Sequence, residues 1–257
     1  MKNITIYDIA REAEVSPATV SRILTGVTSV NEQKRKKVQE IIDKYDFKPN
    51  AMARGLTTSS TGLIGLLMPD AENPFYNSMF AHLCNEAYAR GYSMMLFNTF
   101  SDPDRERDAL TKLREQRVDA MILCGGRVDL MKTDSEYVQT LQKCAKACRV
   151  VIASISPSPE MAGVCIDHRQ CMELALEHLF SLGHRKIGFL YAGMEFIGTD
   201  LKMREMQKRI REKGFAFRED WLIHADNYRM EGGRQAAEQF LMLKDRPSAM
   251  INLNDVL

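Results

Sequence analysis

The groups best placed to do chemistry near the start of the chain are three hydroxyls and one guanidinium, in the stretch EVSPATVSRILTG. Ser16-Pro17 reads as a helix start, because a serine oxygen accepts from an orphan N–H and proline at the first helical position loses no hydrogen bond. Val20, Ile23 and Leu24 form the side to be buried, and Gly26 stops the helix. On the other side, Pro17 and Ala18 can meet base edges by apolar contact, while Thr19 and Ser21 can donate to phosphates. Arg22 has the reach to pair bidentately with a guanine, worth about 1–3 kcal/mol of discrimination. The alternative is an ordinary solvated arginine on a small helical domain.

Elsewhere the chain lacks the motifs that reactions need. It has no GxSxG, no HExxH, no Walker loop and no GxGxxG after its first strand, so no enzyme is expected. Its five histidines are scattered, and CGGR at 124–127 is a glycine-rich strand end of low specificity. The six cysteines, Cys84, Cys124, Cys144, Cys148, Cys165 and Cys171, form no CxxC pair and read as free thiols. Cys144 and Cys148 lie four apart on a predicted helix, but no histidine or third cysteine stands near to complete a metal site. No cofactor is expected.

The elements that carry these residues fall into three regimes. Residues 1–46 are helical throughout. Thr5 and Asp8 form a capping-box-like start followed by the stripe Ile6, Ile9, Ala10 and Ala13. After the helix opened by Ser16, Asn31 caps a third whose Val38, Ile41, Ile42 and Tyr45 recur at helical spacing. Two helices joined by so tight a turn make a helix-turn-helix, whose second helix enters a major groove N-terminus first. Residues 47–61 read as a linker with one marginal helical turn, NAMARGL, which Gly55 weakens by about 1 kcal/mol relative to alanine. From residue 62 strands and helices alternate: GLIGLLMP, SMMLFNT, DAMILCG and RVVIASI, with helical patterns between them. After SPSPE the pattern restarts with GVCID, KIGFLYA, WLIHA and SAMINL. This predicts an α/β core with parallel sheets in two lobes, 62–160 and 161–257.

With 257 residues and 45% hydrophobic content, the chain is long enough for more than one core. Its formal charge is only +1. Residues 1–60 hold ten Lys/Arg against seven Asp/Glu, so the small basic excess sits at the N-terminal end. The first residues lack the apolar run of a secretory signal, and no segment reaches the roughly 18 consecutive apolar residues of a membrane span. A cytoplasmic location is expected, with no membrane partner.

TIYDIAREAEVSPATVSRILTG, VNEQKRKKV, KPNAMARGL and STGLIGLLMPDAENPFY, in that order, closely resemble the LacI/GalR family of bacterial transcriptional regulators. The likeness continues through RVDAMIL and SLGHRKIGFL and covers essentially the whole chain. It implies an N-terminal helix-turn-helix domain, a hinge helix and a periplasmic-binding-protein-like core that senses a small molecule. Position by position, it implies that Tyr7, Ser16, Thr19, Ser21 and Asn31 hold phosphates, while Pro17, Ala18 and Arg22 read the major groove. Leu56 matches the family's minor-groove wedge, with Ala53 and Arg54 beside it; a small hydrophobic staple within the linker is the other reading of Leu56. In the core, ligands of open α/β sheets sit beyond the carboxyl ends of the strands, which makes Phe75 and Tyr76 candidates to face an effector. Asp167 and Asn254 match family positions that contact the ligand, and each could instead be a cap or turn residue.

Three departures from the family pattern matter. Lys202 stands where an arginine usually grips the effector, with Glu205 where glycine is common, and lysine is a point donor rather than a bidentate one. Glu14 occupies a turn that usually has glycine, so a left-handed conformation there would cost roughly 1–2 kcal/mol. The sequence also stops at LNDVL, short of the family's usual length, leaving the second lobe expected to be incomplete. The resulting expectation is an effector-responsive repressor that binds near-palindromic double-stranded operator DNA as a homodimer, associated with the nucleoid. The effector would be a small molecule such as a sugar or nucleoside. The rival readings are a solute-binding receptor of the same core fold, an α/β enzyme, and a truncated regulator that no longer senses a ligand.

Overall fold

Caps fix the helices of the N-terminal unit. The computed structural model describes residues 4–24, 30–47 and 60–257, and the chain divides into units Met1–Thr61 and Gly62–Leu257. In the first unit, α1 (Ile6–Ala13) opens on a reciprocal capping box: Asp8 N–H donates to the Thr5 hydroxyl at 3.4 Å, and Thr5 N–H donates to the Asp8 carboxylate at 3.0 Å. At the start of α2 (Pro17–Leu24), Ser16 Oγ accepts from Thr19 N–H at 3.2 Å. Ahead of α3 (Glu32–Lys44), Asn31 Oδ1 accepts from the N–H groups of Gln33 and Lys34 at 2.9 and 3.4 Å. Together the helices bury Ile9, Ala10, Ala13, Val20, Ile23, Val38, Ile41 and Ile42 in one small core.

Tyr45 departs from its expected place in that core. It lies one residue past α3, 40% exposed, with the Lys44 ammonium 4.7 Å from its ring centre. Asp46 then turns left-handed (φ 45°), which brings Phe47 back to donate to the Ile42 carbonyl at 2.9 Å and to pack on the core instead. The stop expected at Gly26 and the helical turn expected over NAMARGL lie outside the described residues.

Glu14 is left-handed, with φ 56° and ψ 41°, and its N–H donates to the carbonyls of Ala10 and Arg11. This closes α1 and admits the short turn into α2. The conformation costs a non-glycine residue roughly 1–2 kcal/mol. Its carboxylate receives Lys37 Nζ at 2.8 Å, but both side chains are largely solvated, so the pair offsets little of that strain. Glu14→Ala and Glu14→Gly both remove the ion pair, and only glycine relieves the backbone. The glycine variant should therefore unfold with a free energy about 1 kcal/mol above that of the alanine variant in chemical denaturation. Equal stability of the two would show that the turn stores no strain.

The second unit contains two parallel sheets. The first has the order β2-β1-β3-β4-β5, from β1 (Leu63–Met68), β2 (Ser93–Asn98), β3 (Ala120–Leu123), β4 (Arg149–Ile152) and β5 (Ala162–Gly163). Between these strands run α4 (Pro74–Ala89), α5 (Pro103–Glu115) and α6 (Ser135–Ala147). Successive β1 side chains point to opposite faces. Leu67 joins Leu110, Leu113, Met121 and Leu141 on one side, whereas Leu66 and Met68 meet Tyr76, Met79, Phe80 and Leu83 on the other. Burial on both faces is why the strand is a continuous apolar run.

The second sheet has the order β7-β6-β8, from β6 (Ile187–Tyr191), β7 (Leu222–His224) and β8 (Ala249–Asn252). Here α7 (His168–Ser181) and α8 (Ile197–Glu212) pack through Met172, Leu176, Met203, Met206 and Ile210 around Phe189, while α9 (Met230–Met242) places Ala236 against Leu190 and Ile223.

GVCID does not open this second sheet as a strand. Only Ala162–Gly163 is strand, and it pairs in parallel with β4 in the first sheet. Val164 N–H makes a bond of 2.8 Å to the Ile152 carbonyl, after which Val164–Asp167 run exposed to α7. The second repeat thus begins with a helix.

Candidate nucleic-acid interface and effector cleft

The buried and solvent-facing sides of α2 divide as its spacing requires. Val20 and Ile23 are sealed in the core, Ser16, Ala18 and Arg22 are exposed, and Pro17, Thr19 and Ser21 lie half-buried between. The Ser16 and Thr19 hydroxyls are hydrogen-bonded to each other at 2.9 Å, so these two predicted positions are joined directly. Tyr7, on α1, is 66% exposed, and Asn31 is exposed at the start of α3. No acidic residue occupies the first turn of α2. The nearby acids are occupied: Glu12 receives Lys44 Nζ at 2.7 Å and Glu14 receives Lys37. Those hydrogen bonds hold both carboxyls below the usual range. The helix therefore presents small side chains, hydroxyls and one guanidinium with no acid at its leading end. Ala53, Arg54 and Leu56 lie outside the described residues.

In the second unit, register brings the strand ends of the first sheet into line, with Leu67 opposite Phe97 and Leu123, and Leu123 opposite Ile152. The loops beyond those ends carry the polar groups. Asn73 caps α4 by accepting from Phe75 N–H at 3.0 Å, with Pro74 in the first turn. Phe75 and Tyr76 pack edge to face at 5.2 Å; Phe75 points outward, and Tyr76 is half-buried. Gly125, just past β3, has φ 65° and ψ −170°, and a Cβ there would overlap the Tyr76 hydroxyl and the Pro69 ring.

The 3₁₀ turn Gly126–Asp129 ends on a half-buried carboxylate. Burial raises the Asp129 pKa, and a hydrogen bond with Ser154 opposes the rise. Burial also raises Tyr76 and pushes Cys124 up to about 12, and the Asp129 charge adds to both. Tyr228, in the loop after β7, is raised to about 12 by burial, against a hydrogen bond to Thr199, with the Glu195 and Asp129 charges adding to the rise. Its hydroxyl donates to the Ala192 carbonyl at 2.9 Å. Asp129 thus lies among side chains from the rims of both sheets.

Contacts also join the two rims directly. Arg229 donates to Glu72 and to Asp70, each at 3.1 Å. Leu130 forms an isolated antiparallel bridge with Phe196, beside a bond of 2.9 Å from Met131 N–H to the Glu195 carbonyl. Behind Asp129, the Arg127 guanidinium lies 4.0 Å over the Tyr137 ring and pairs with Asp134, while the Tyr137 hydroxyl donates to buried Glu106.

The other three predicted cleft residues belong to a second group. Asp167 caps α7, accepting from Arg169 and Gln170 N–H at 3.1 and 3.0 Å. Lys202 donates to the Leu253 carbonyl at 3.0 Å, and burial draws its ammonium pKa down. Asn254 Oδ1 accepts from Val256 and Leu257 N–H at 3.1 and 3.0 Å. Burial and the Lys202 charge lower the pKa of the neighbouring His168, against the charge of Asp167. Phe75 and Tyr76 belong instead with Asp129, Ser154 and Tyr228. Sequence reading missed those last three because an acid, a serine or a tyrosine beyond a strand looks like ordinary loop composition. Only their shared position after strand ends could have singled them out.

A helix-turn-helix unit followed by a parallel α/β unit with a polar rim is the build of a transcription regulator with a ligand-binding core. The model of bacterial regulatory proteins of the lacI family matches residues 5–50, and that of periplasmic binding proteins and the sugar-binding domain of the LacI family matches residues 61–257. Catabolite control protein A of Priestia megaterium is 33% identical over 249 residues, covering 96% of this chain and 73% of that protein. The HTH-type transcriptional repressor PurR of Photobacterium profundum is 30% identical, with 98% and 74% covered. The lac repressor dimer bound to operator and the anti-inducer ONPF superimposes with a TM-score of 0.83 at 23% identity, covering 99% of this chain and 75% of that one, a likeness of fold. The chain belongs to the LacI family of bacterial regulatory proteins. It is a sequence-specific DNA-binding transcriptional regulator, not an enzyme. Among the described residues no helix is long and apolar enough to cross a membrane.

Gly125 gives this geometry a direct check. Its backbone conformation is nearly exclusive to glycine, at a cost of about 1–3 kcal/mol for other residues. Gly125→Ala should destabilise the second unit by at least that range, because Tyr76 and Pro69 must also move. A denaturation midpoint equal to wild type would contradict the packing described for Tyr76.

Proposed function

We propose that the protein is an effector-responsive repressor that binds a near-palindromic operator as a homodimer. In this reading residues 1–46 dock on DNA, 47–61 form the hinge, and the lobes 62–160 and 161–257 close on a small molecule, with β5 still paired to the first sheet. The observation that carries it is the exposed side of α2: small side chains that permit close approach to a major groove, with Arg22 beyond them. Pro17, Ala18 and Arg22 read bases. Tyr7, Ser16, Thr19, Ser21 and Asn31 hold phosphates and fix the register. Leu56, flanked by Ala53 and Arg54, wedges into the minor groove at the operator centre and favours a deformable step there.

The effector is a sugar or a nucleoside held at the strand ends by Phe75, Tyr76, Asp167, Lys202 and Asn254. Because Asp167 and Asn254 already accept backbone hydrogen bonds, their part in binding uses the remaining lone pairs. Ligand acts through its different affinity for open and closed lobes, which the Arg229 contacts with Asp70 and Glu72 also bias. The protein works in the cytoplasm at the nucleoid.

Arg22→Ala should relax preference at one base pair per half-site by about 1–3 kcal/mol, and Arg22→Lys should restore little, since lysine cannot form the bidentate pair. Leu56→Ala should weaken operator binding across sequences. Fluorescence anisotropy with operator and point-substituted duplexes at fixed salt reads both. Wild-type affinity in the Arg22 and Leu56 alanine variants would refute the assignment.

A further inference from the structure

The chain enters the second unit through a residue held from both sides. Gly62 is the first residue of that unit and is left-handed, with φ 68°. Its N–H donates to the Asp119 carboxylate at 2.8 Å, and its carbonyl accepts from the N–H of Ser93, at the start of β2, at 2.8 Å. Both peptide planes that flank the Gly62 Cα are therefore held, which restrains its two torsions and the direction of the chain just before it. Asp119 is itself fixed. Its N–H donates to the Leu63 carbonyl at 2.9 Å, its carbonyl accepts from Arg149 N–H at 3.2 Å, and Val118 before it is buried in the core. Strand pairing does not depend on the carboxylate, because β1 already has β2 on one side and β3 on the other. What the side-chain bond adds is restraint on the residue ahead of the strand, across 57 positions of sequence.

We propose that Asp119 is a positioning residue for operator binding. By clamping the Gly62 N–H it fixes the direction in which the hinge leaves the core, and with it the half-site spacing that a pair of chains spans. This rests on the reading of the protein as a homodimer on a near-palindromic operator with a hinge at 47–61. Asp119 acts through Gly62 and not by touching DNA. A fixed exit raises the effective concentration of the second recognition helix at one spacing and lowers it at others. Gly62 is the other half of the device. A Cβ there has room, its nearest neighbour being the Gly91 carbonyl oxygen at 3.7 Å, so a side chain would disturb the left-handed torsion alone.

The test uses the whole chain and the duplex that wild type enriches from a random pool, with versions that carry one or two base pairs inserted between the half-sites. Fluorescence anisotropy at fixed salt gives the affinity for each, and for a single half-site. Wild type should prefer the parent duplex. In Asp119→Ala that preference should shrink by about ten-fold, while affinity for the single half-site stays unchanged. Asp119→Asn keeps an acceptor for the Gly62 N–H and should retain most of the preference. Gly62→Ala should lose a similar share with Asp119 intact, and the double variant no more than Asp119→Ala alone, since both act on one torsion. Thermal melts identify any variant unfolded at the assay temperature, and the Gly62→Ala arm carries the test if Asp119→Ala is one. A wild-type spacing preference in a folded Asp119→Ala or in Gly62→Ala overturns the assignment and leaves the dimeric operator reading standing. If wild type enriches no duplex, or binds the inserted versions as tightly as the parent, the assignment and that reading both fail.

Discussion

Parallel hydrogen bonding is the constraint on which the architecture of the second unit depends. A parallel pair cannot be closed by a hairpin, so between paired strands the chain must cross back, through a helix in every case but the loop from β4 to β5. Helices then cover both faces of the sheet, and the strands become apolar throughout, as in β1. Polar side chains are left to the loops, and because all strands run one way, the loops after their carboxyl ends gather on one rim. Tyr76, Asp129 and Ser154 are widely spaced in sequence, yet each follows a strand end of the first sheet, and this topology sets them on one rim.

The N-terminal unit solves a different problem. A helix as short as α2 has little stability of its own, so it depends on caps and on a few apolar side chains. Thr5 with Asp8, Ser16 and Asn31 cap the three helices, and Glu14 accepts a strained backbone to make the turn between the first two. What that arrangement leaves exposed on α2 is the face we propose for DNA recognition. Pairing of Glu12 and Glu14 with lysines of α3 keeps nearby negative charge from opposing a polyanion.

Much of this was legible in the sequence because it is local. The capping oxygens of Thr5, Ser16 and Asn31 and the alternation of strands with helices all follow from short-range pattern, whereas the turn at Glu14 stood out only against the family resemblance. What was illegible depended on distant contacts. Tyr45 has the right spacing for the core, yet the chain reversal at Asp46 gives the place to Phe47. GVCID has strand composition, but only the two residues that reach β4 find a partner. Asp129 has no local signature, since nothing in its own stretch of sequence marks it out from ordinary loop composition. Asp167, Lys202 and Asn254 were identified by resemblance, and the structure gives each a hydrogen-bonding role within the fold that motif matching does not reveal.

The central claim is that α2, presented twice by a symmetric pair of chains, reads one particular DNA sequence. Selection of duplexes from a random pool by the whole chain, followed by sequencing of the bound fraction, tests it most directly. The account predicts a two-fold symmetric motif with a guanine in each half-site whose enrichment depends on Arg22, around a deformable central step. An unenriched pool, or a motif without two-fold symmetry that the Arg22→Ala variant selects equally well, would contradict it.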